Sequence, residues 1–217
     1  MGPAATTCHD ARRTAPGGPG TAAPGLWRRA GYTRMPSAKK IDAAAFSADT
    51  RDFLRVLHEK RVRYLIVGGE AVIFHGYARV TGDIDFFYAR TEENVQRLYD
   101  ALLTFWSGSV PGLQSYAELM EPGVIVQFGV PPYRIDLINR ISGVAFENAW
   151  PNRRRAEIWD GGVRVPIWFL GLSDLLRNQR ASGRPKDLAD VAFFAGGATP
   201  QRKGMAAKKR KRRNGAV

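Results

Sequence analysis

The sequence predicts an α/β (α+β) fold: a small mixed sheet flanked by helices, with further helices at the C-terminal end. Three observations predict it. Short, continuous apolar runs alternate with segments of helical periodicity; glycine and proline fall between these segments; and no segment repeats. A length of 217 residues suits one domain of ordinary size, and 44% hydrophobic residues can bury a sizeable core.

The elements follow in order. Phe53, Leu54, Val56 and Leu57 form a helical stripe, so a helix is expected over about 47–60, opening after Ser47 or Asp49. Tyr64-Leu65-Ile66-Val67 is the short apolar run of a buried strand. Gly68-Gly69 then turns the chain into a helix over about 70–77. A strand follows at 84–88, and a helix over 91–105 with Thr91 as its N-cap. Residues 124–129 and 134–138 read as two strands joined by a turn at Pro131-Pro132, and 164–169 as the last strand. Two closing helices, 174–181 and 186–194, are separated by Gly183 and Pro185.

A net charge of +13 invites a nucleic-acid reading, but its placement argues otherwise. Residues 1–40 and 201–217 hold fifteen of the 33 Lys/Arg and one of the 20 acids, Asp10. The stretch 41–200 therefore carries 18 bases and 19 acids. It is expected to be the folded domain, and it is nearly neutral. Residues 1–40 lack apolar periodicity and read as a disordered basic extension, with Met35 as a plausible natural start. Residues 201–217, with Lys-Lys-Arg-Lys-Arg-Arg at 208–213, read as a disordered polybasic tail, either merely solvated or touching phosphates nonspecifically. The single cysteine, Cys8, excludes an internal disulfide framework. Proline and glycine interrupt the N-terminus, so no signal peptide is read there. The longest apolar runs fall well short of the roughly 20 residues a spanning helix needs. A soluble, cytoplasmic protein with no membrane partner is the expectation.

Two patterns carry chemistry. In Asp83-Ile84-Asp85-Phe86-Phe87 the acids sit at i and i+2 of a strand, so both carboxylates share one face. Two acids side by side repel each other and lose hydration, and a divalent cation between them removes both penalties. In Arg134-Ile135-Asp136-Leu137-Ile138 one Asp lies inside an apolar strand, where Asp is rare unless paired. If the two strands are neighbours, Asp136 completes a triad of hard oxygen ligands suited to Mg²⁺. Two ions about 3.5–4 Å apart could then serve an in-line phosphoryl transfer. Upstream, the strand, Gly68-Gly69, helix sequence lets backbone approach an anion closely, although a plain strand-to-helix turn has the same signature.

Gly68-Gly69, a spacer, Thr81-Gly82-Asp83-Ile84-Asp85 and a later Asp136 together resemble the nucleotidyltransferase superfamily. Within it, Val67 to Ala71, Arg79 to Phe86 and Ala181 to Asp190 look like the AbiEii/AbiGii-type group, often the toxin half of bacterial toxin–antitoxin or abortive-infection pairs. The resemblance covers about 50–195. It implies the transfer of a nucleoside monophosphate from a nucleoside triphosphate to RNA, a protein side chain or a small molecule, with two Mg²⁺ ions and with an antitoxin as partner. It also implies roles. Gly68 and Gly69 contact the triphosphate, and Asp83 and Asp85 hold both metals. Asp136 completes one metal site and helps deprotonate the acceptor. Lys186 and Asp187 stand near the nucleotide, and Arg79 and Thr81 contact phosphate. Two positions depart from the pattern: Gly69 stands where the wider superfamily has Ser, and Gln179 where close relatives have Lys. A non-catalytic member of the fold, or an RNA-binding protein acting through its basic ends, are the competing readings. His75 and Trp106, Trp150, Trp159 and Trp168 are expected to pack, and Arg153-Arg154-Arg155 to be an exposed loop.

Overall fold

The computed structural model describes residues 38–196. The expectations for Met35, for most of the 1–40 extension and for the 201–217 tail concern residues outside those described. Strands β1 (Lys39–Ile41), β2 (Tyr64–Val67), β3 (Asp83–Tyr88), β4 (Ile125–Phe128), β5 (Arg134–Ile138), β6 (Arg154–Asp160) and β7 (Val163–Phe169) form one mixed sheet, in the order β1-β6-β7-β2-β3-β5-β4. Around it lie helices α1 (Ala48–Glu59), α2 (Gly68–Phe74), α3 (Glu92–Phe105), α4 (Ala117–Met120), α5 (Phe146–Ala149), α6 (Leu172–Ser182) and α7 (Pro185–Ala195). The expected α/β (α+β) class with C-terminal helices is what is observed.

Local chemistry explains the boundaries. Ser47 caps α1 by accepting from the Thr50 N–H, and Thr91 caps α3 by accepting from the Asn94 N–H. Gly183 ends α6 in the left-handed region (φ 67°), and Pro185 opens α7 at its first turn, where the missing N–H costs nothing. The core forms where α1 and α3 meet the central strands. Phe53 meets Phe86 edge-on at 5.4 Å, and Tyr64 meets Phe86 at the same distance. Asn94 is buried and ties three segments together. Its Oδ1 accepts from the Arg63 N–H (2.7 Å), and its Nδ2 donates to the carbonyls of Arg63 (3.1 Å) and Ala89 (2.9 Å).

Four sequence expectations are corrected. The mixed sheet has seven strands rather than the five read from the sequence, because β1 and β6 were not anticipated. Residues 39–40, assigned to the disordered extension, belong to β1, which pairs in parallel with β6 (Lys39↔Ala156 to Ile41↔Ile158). A three-residue strand with two lysines has no local signature; its partner lies far along the chain. Arg154 and Arg155 are in β6 and not in a loop. Ala156, Glu157 and Ile158 are all buried, and β6 pairs antiparallel with β7 across Gly161-Gly162. The helix expected at 70–77 spans Gly68–Phe74, so both glycines lie in its first turn.

Candidate active site

β3 and β5 are adjacent and parallel, with Asp83 opposite Arg134 and Asp85 opposite Asp136. Since i and i+2 share a face, these four side chains make a two-by-two lattice on one side of the sheet. β4 adds Gln127, opposite Asp136. One carboxylate oxygen from each of Asp83, Asp85 and Asp136 lies within 4.8 Å of the others. The triad expected from two separate sequence patterns is therefore assembled by a single register.

The double glycine is shaped by what lies over it. Gly68 has φ +61°, and a Cβ there would fall inside the Asp85 carboxylate, 3.1 Å from its Cγ. A Cβ on Gly69 would come within 2.5 Å of Thr81 Oγ1 and 3.1 Å of Arg79 Nη2. The absence of side chains at 68 and 69 is thus a packing requirement of the residues at 79, 81 and 85. Where the wider superfamily carries a Ser, this fold has the Thr81 hydroxyl beside the backbone. That hydroxyl lies 3.2 Å from both the main-chain oxygen and Oδ1 of Asp83.

Electrostatics concentrate here. Burial first, then the charges of Asp83 and Asp136, push the Asp85 carboxyl up to about 6, against the opposing pull of Lys186 and Arg184. Glu70, in the first turn of α2, is likewise pushed up to about 6, by burial and then by Asp83 and Asp85. It is a fourth carboxylate that the sequence reading missed. Arg134 is another residue not anticipated, and it supplies the local counter-charge. Its Nε donates to Asp136 Oδ1 (2.7 Å), and its Nη2 donates to Asp136 Oδ2 and Asp83 Oδ2 (both 2.8 Å). Gln127 Nε2 donates to Asp136 Oδ2 at 3.0 Å. Arg134 is legible in the sequence, two residues before Asp136 in a strand and so on its face, but a cation has no place among metal ligands.

The triad opens into a cleft of about 680 Å³, whose walls include Gly68, Gly69, Arg79, Thr81, Arg140, Arg184 and Lys186. All nine residues singled out in the sequence line it. Their roles differ in geometry. Lys186 is exposed at the start of α7. Asp187 is fully buried and accepts from Arg184 Nε (2.6 Å), so it holds Arg184 at the cleft wall. Arg79 is fixed from α7 as well, by an ion pair with buried Asp190 (3.4 Å). Gln179 is buried in α6. The remaining prominent residues pack elsewhere. His75 is bonded to the Leu170 carbonyl (2.8 Å), and Trp106 abuts Phe105 and Phe128. Arg153 lies over the rings of Trp150 and Trp168, at 4.1 and 4.7 Å, whereas Trp159 is half exposed.

Three acids thus meet at one point of a mixed sheet, beside a glycine pair over which Asp85, Thr81 and Arg79 close and under a basic rim. The chain belongs to the family described as nucleotidyltransferase of unknown function (DUF6036), whose model matches residues 49–193. No curated protein matches the chain. Among the described residues, no helix is long and apolar enough to cross a membrane.

Proposed function

We propose that this protein is a metal-dependent nucleotidyltransferase that moves a nucleoside monophosphate from a nucleoside triphosphate to an acceptor hydroxyl, releasing pyrophosphate. The observation that carries the proposal is the convergence of Asp83, Asp85 and Asp136 within 4.8 Å at the mouth of a basic cleft. The donor set fits hard divalent cations: three carboxylates, with Asp85 disfavoured as an anion until more positive charge arrives. Mg²⁺ held by these three residues would offset the charge of the polyphosphate and make the acceptor hydroxyl easier to ionise.

The chain's own residues do the rest by positioning and electrostatics. Gly68 and Gly69 bring main chain into the cleft wall, where a phosphate would meet backbone N–H groups beside Thr81 and Arg79. Arg79, braced by Asp190, and Arg184, braced by Asp187, present cations whose orientation is already set. Lys186 adds a mobile point charge for the leaving pyrophosphate. In the transfer, the acceptor oxygen bonds to the α-phosphorus as the bond to the β-phosphate oxygen breaks. The acceptor's proton passes to Asp136.

Incubating the purified protein with each labelled nucleoside triphosphate, Mg²⁺ and total RNA should give a labelled macromolecule and pyrophosphate. Asp83→Asn should give neither. Persistent transfer by that variant removes the metal assignment. One observation favours a second reading, a non-catalytic nucleotide- or partner-binding member of the fold: Arg134 already forms ion pairs with Asp83 and Asp136. Absence of Mg²⁺-dependent pyrophosphate release with every nucleotide and acceptor would support it. The likeness to the AbiEii/AbiGii toxins makes RNA the first acceptor to try and a co-encoded antitoxin the first partner to seek. An adjacent gene for a small winged-helix-like protein would support the toxin role, and the cytoplasm is the compartment that role requires.

A further inference from the structure

The position of Arg134 has a consequence for how the site fills. Its guanidinium engages both oxygens of Asp136 and one of Asp83, through three hydrogen bonds of 2.7–2.8 Å. Nη2 is shared between the two carboxylates, so it lies in the space where a cation bridging them would sit. A small divalent ion needs carboxylate oxygens at about 2.0–2.1 Å, and N–H groups aimed at the same oxygens obstruct that approach. Two positive centres in one half-buried pocket also repel each other. We infer that Arg134 has two positions: on Asp83 and Asp136 when the triad holds no divalent cation, and turned into the cleft, on the polyphosphate of the bound nucleotide, when it does. The inference rests on the proposed reading of the triad as metal ligands.

The surroundings suit such an exchange. Arg134 is partly exposed at the first residue of β5, while Asp136, two residues on, is buried, so the guanidinium lies on the solvent side of its partner. The cleft it would turn into is the one walled by Arg79, Arg184 and Lys186. A planar guanidinium pairs with phosphate oxygens in the same bidentate manner as with Asp136, so one side chain can serve both partners. When Arg134 leaves, Gln127 still donates to Asp136 Oδ2 and keeps that carboxylate oriented. The glutamine supplies no charge and takes only Oδ2, so the departure of Arg134 frees Oδ1 of Asp136 for a cation.

The experiment uses the full chain and Mn²⁺ as probe, with bound ion counted by paramagnetic resonance. A non-transferable α,β-methylene nucleoside triphosphate reports nucleotide affinity. R134Q is expected to bind Mn²⁺ about tenfold more tightly than the unaltered chain, and the nucleotide analogue, at saturating Mn²⁺, about tenfold more weakly. Without metal, its melting temperature is expected to fall and to be restored by Mn²⁺. R134K keeps the charge but reaches one carboxylate at a time; an intermediate Mn²⁺ affinity supports the exchange and replaces the first variant if that one does not fold. Unaltered Mn²⁺ affinity in the variants, with good binding by the parent chain, overturns the exchange and leaves the metal site standing. If the parent chain and both variants bind no Mn²⁺, the metal reading fails and the exchange falls with it.

Discussion

Replacing Asp85 with Asn should make the metal-free protein more stable while removing its activity. Asp85 is buried next to Asp83 and Asp136, and its carboxyl is pushed from an ordinary 3.8 up to about 6. A displacement of that size corresponds to about 3 kcal/mol of penalty on the ionised form once the pH is well above 6. Partial exposure of the site to water reduces this, so a gain of about 1–2 kcal/mol is the working value. Asn keeps the size of the side chain and removes the charge. For a domain of this length the gain corresponds to a rise in melting temperature of roughly 2–8 °C.

The sign of the pH dependence follows from linkage. A carboxyl with a raised value binds its proton more tightly in the folded chain than in the unfolded one. The parent protein therefore loses stability as pH rises from about 4 to about 6, and the variant lacks this loss. Glu70, pushed up to about 6 by burial and then by Asp83 and Asp85, keeps the first two causes in the variant and loses only the last and smallest, which adds to the variant's advantage in the same direction. Calorimetry in EDTA at pH 4.5 and pH 7.5 checks the argument: the variant's advantage should be small at the lower pH and full at the higher. Added Mg²⁺ should reverse the order, because only the parent gains from binding. A variant less stable than its parent at pH 7.5, or an advantage independent of pH, refutes the reasoning.

Other perturbations test neighbouring parts of the structure. Gly68→Ala places a methyl group at φ +61° and against the Asp85 carboxylate; it should cost at least about 1 kcal/mol in urea unfolding and weaken Mn²⁺ binding by displacing that ligand. Asn94→Ala strips the partners from the Arg63 N–H and from the carbonyls of Arg63 and Ala89, and should cost about 2–4 kcal/mol with no change in metal affinity. A loss below about 1 kcal/mol would show that water replaces the amide.

The sequence alone determined whatever is written in local periodicity and residue chemistry. Tyr64 to Val67 is a short apolar run consistent with a buried strand, and it is one. Ser47 and Thr91 mark helix starts because their side chains satisfy orphan N–H groups, and Asp83 and Asp85 share a face because a strand alternates with period two. Asp136 is an acid inside an apolar run, a placement unusual in a strand whatever its neighbours are. Tertiary structure decided what depends on partners distant in the chain. Only the β3–β5 register sets Asp136 opposite Asp85 and Arg134 opposite Asp83. Asp187 meets Arg184, three residues before it, within the first turn of α7, whereas only the packing of α7 brings Asp190 to Arg79. Glu70 became part of the site because α2 begins at Gly68, which brings its first turn against β3. β1 and β6 escaped notice because a strand rich in lysine or arginine is stabilised by the hydrogen bonds of its neighbour rather than by apolar alternation of its own. Local sequence fixes backbone preference and side-chain direction; which charges meet is set by pairing between segments, and that carries no signature within either one.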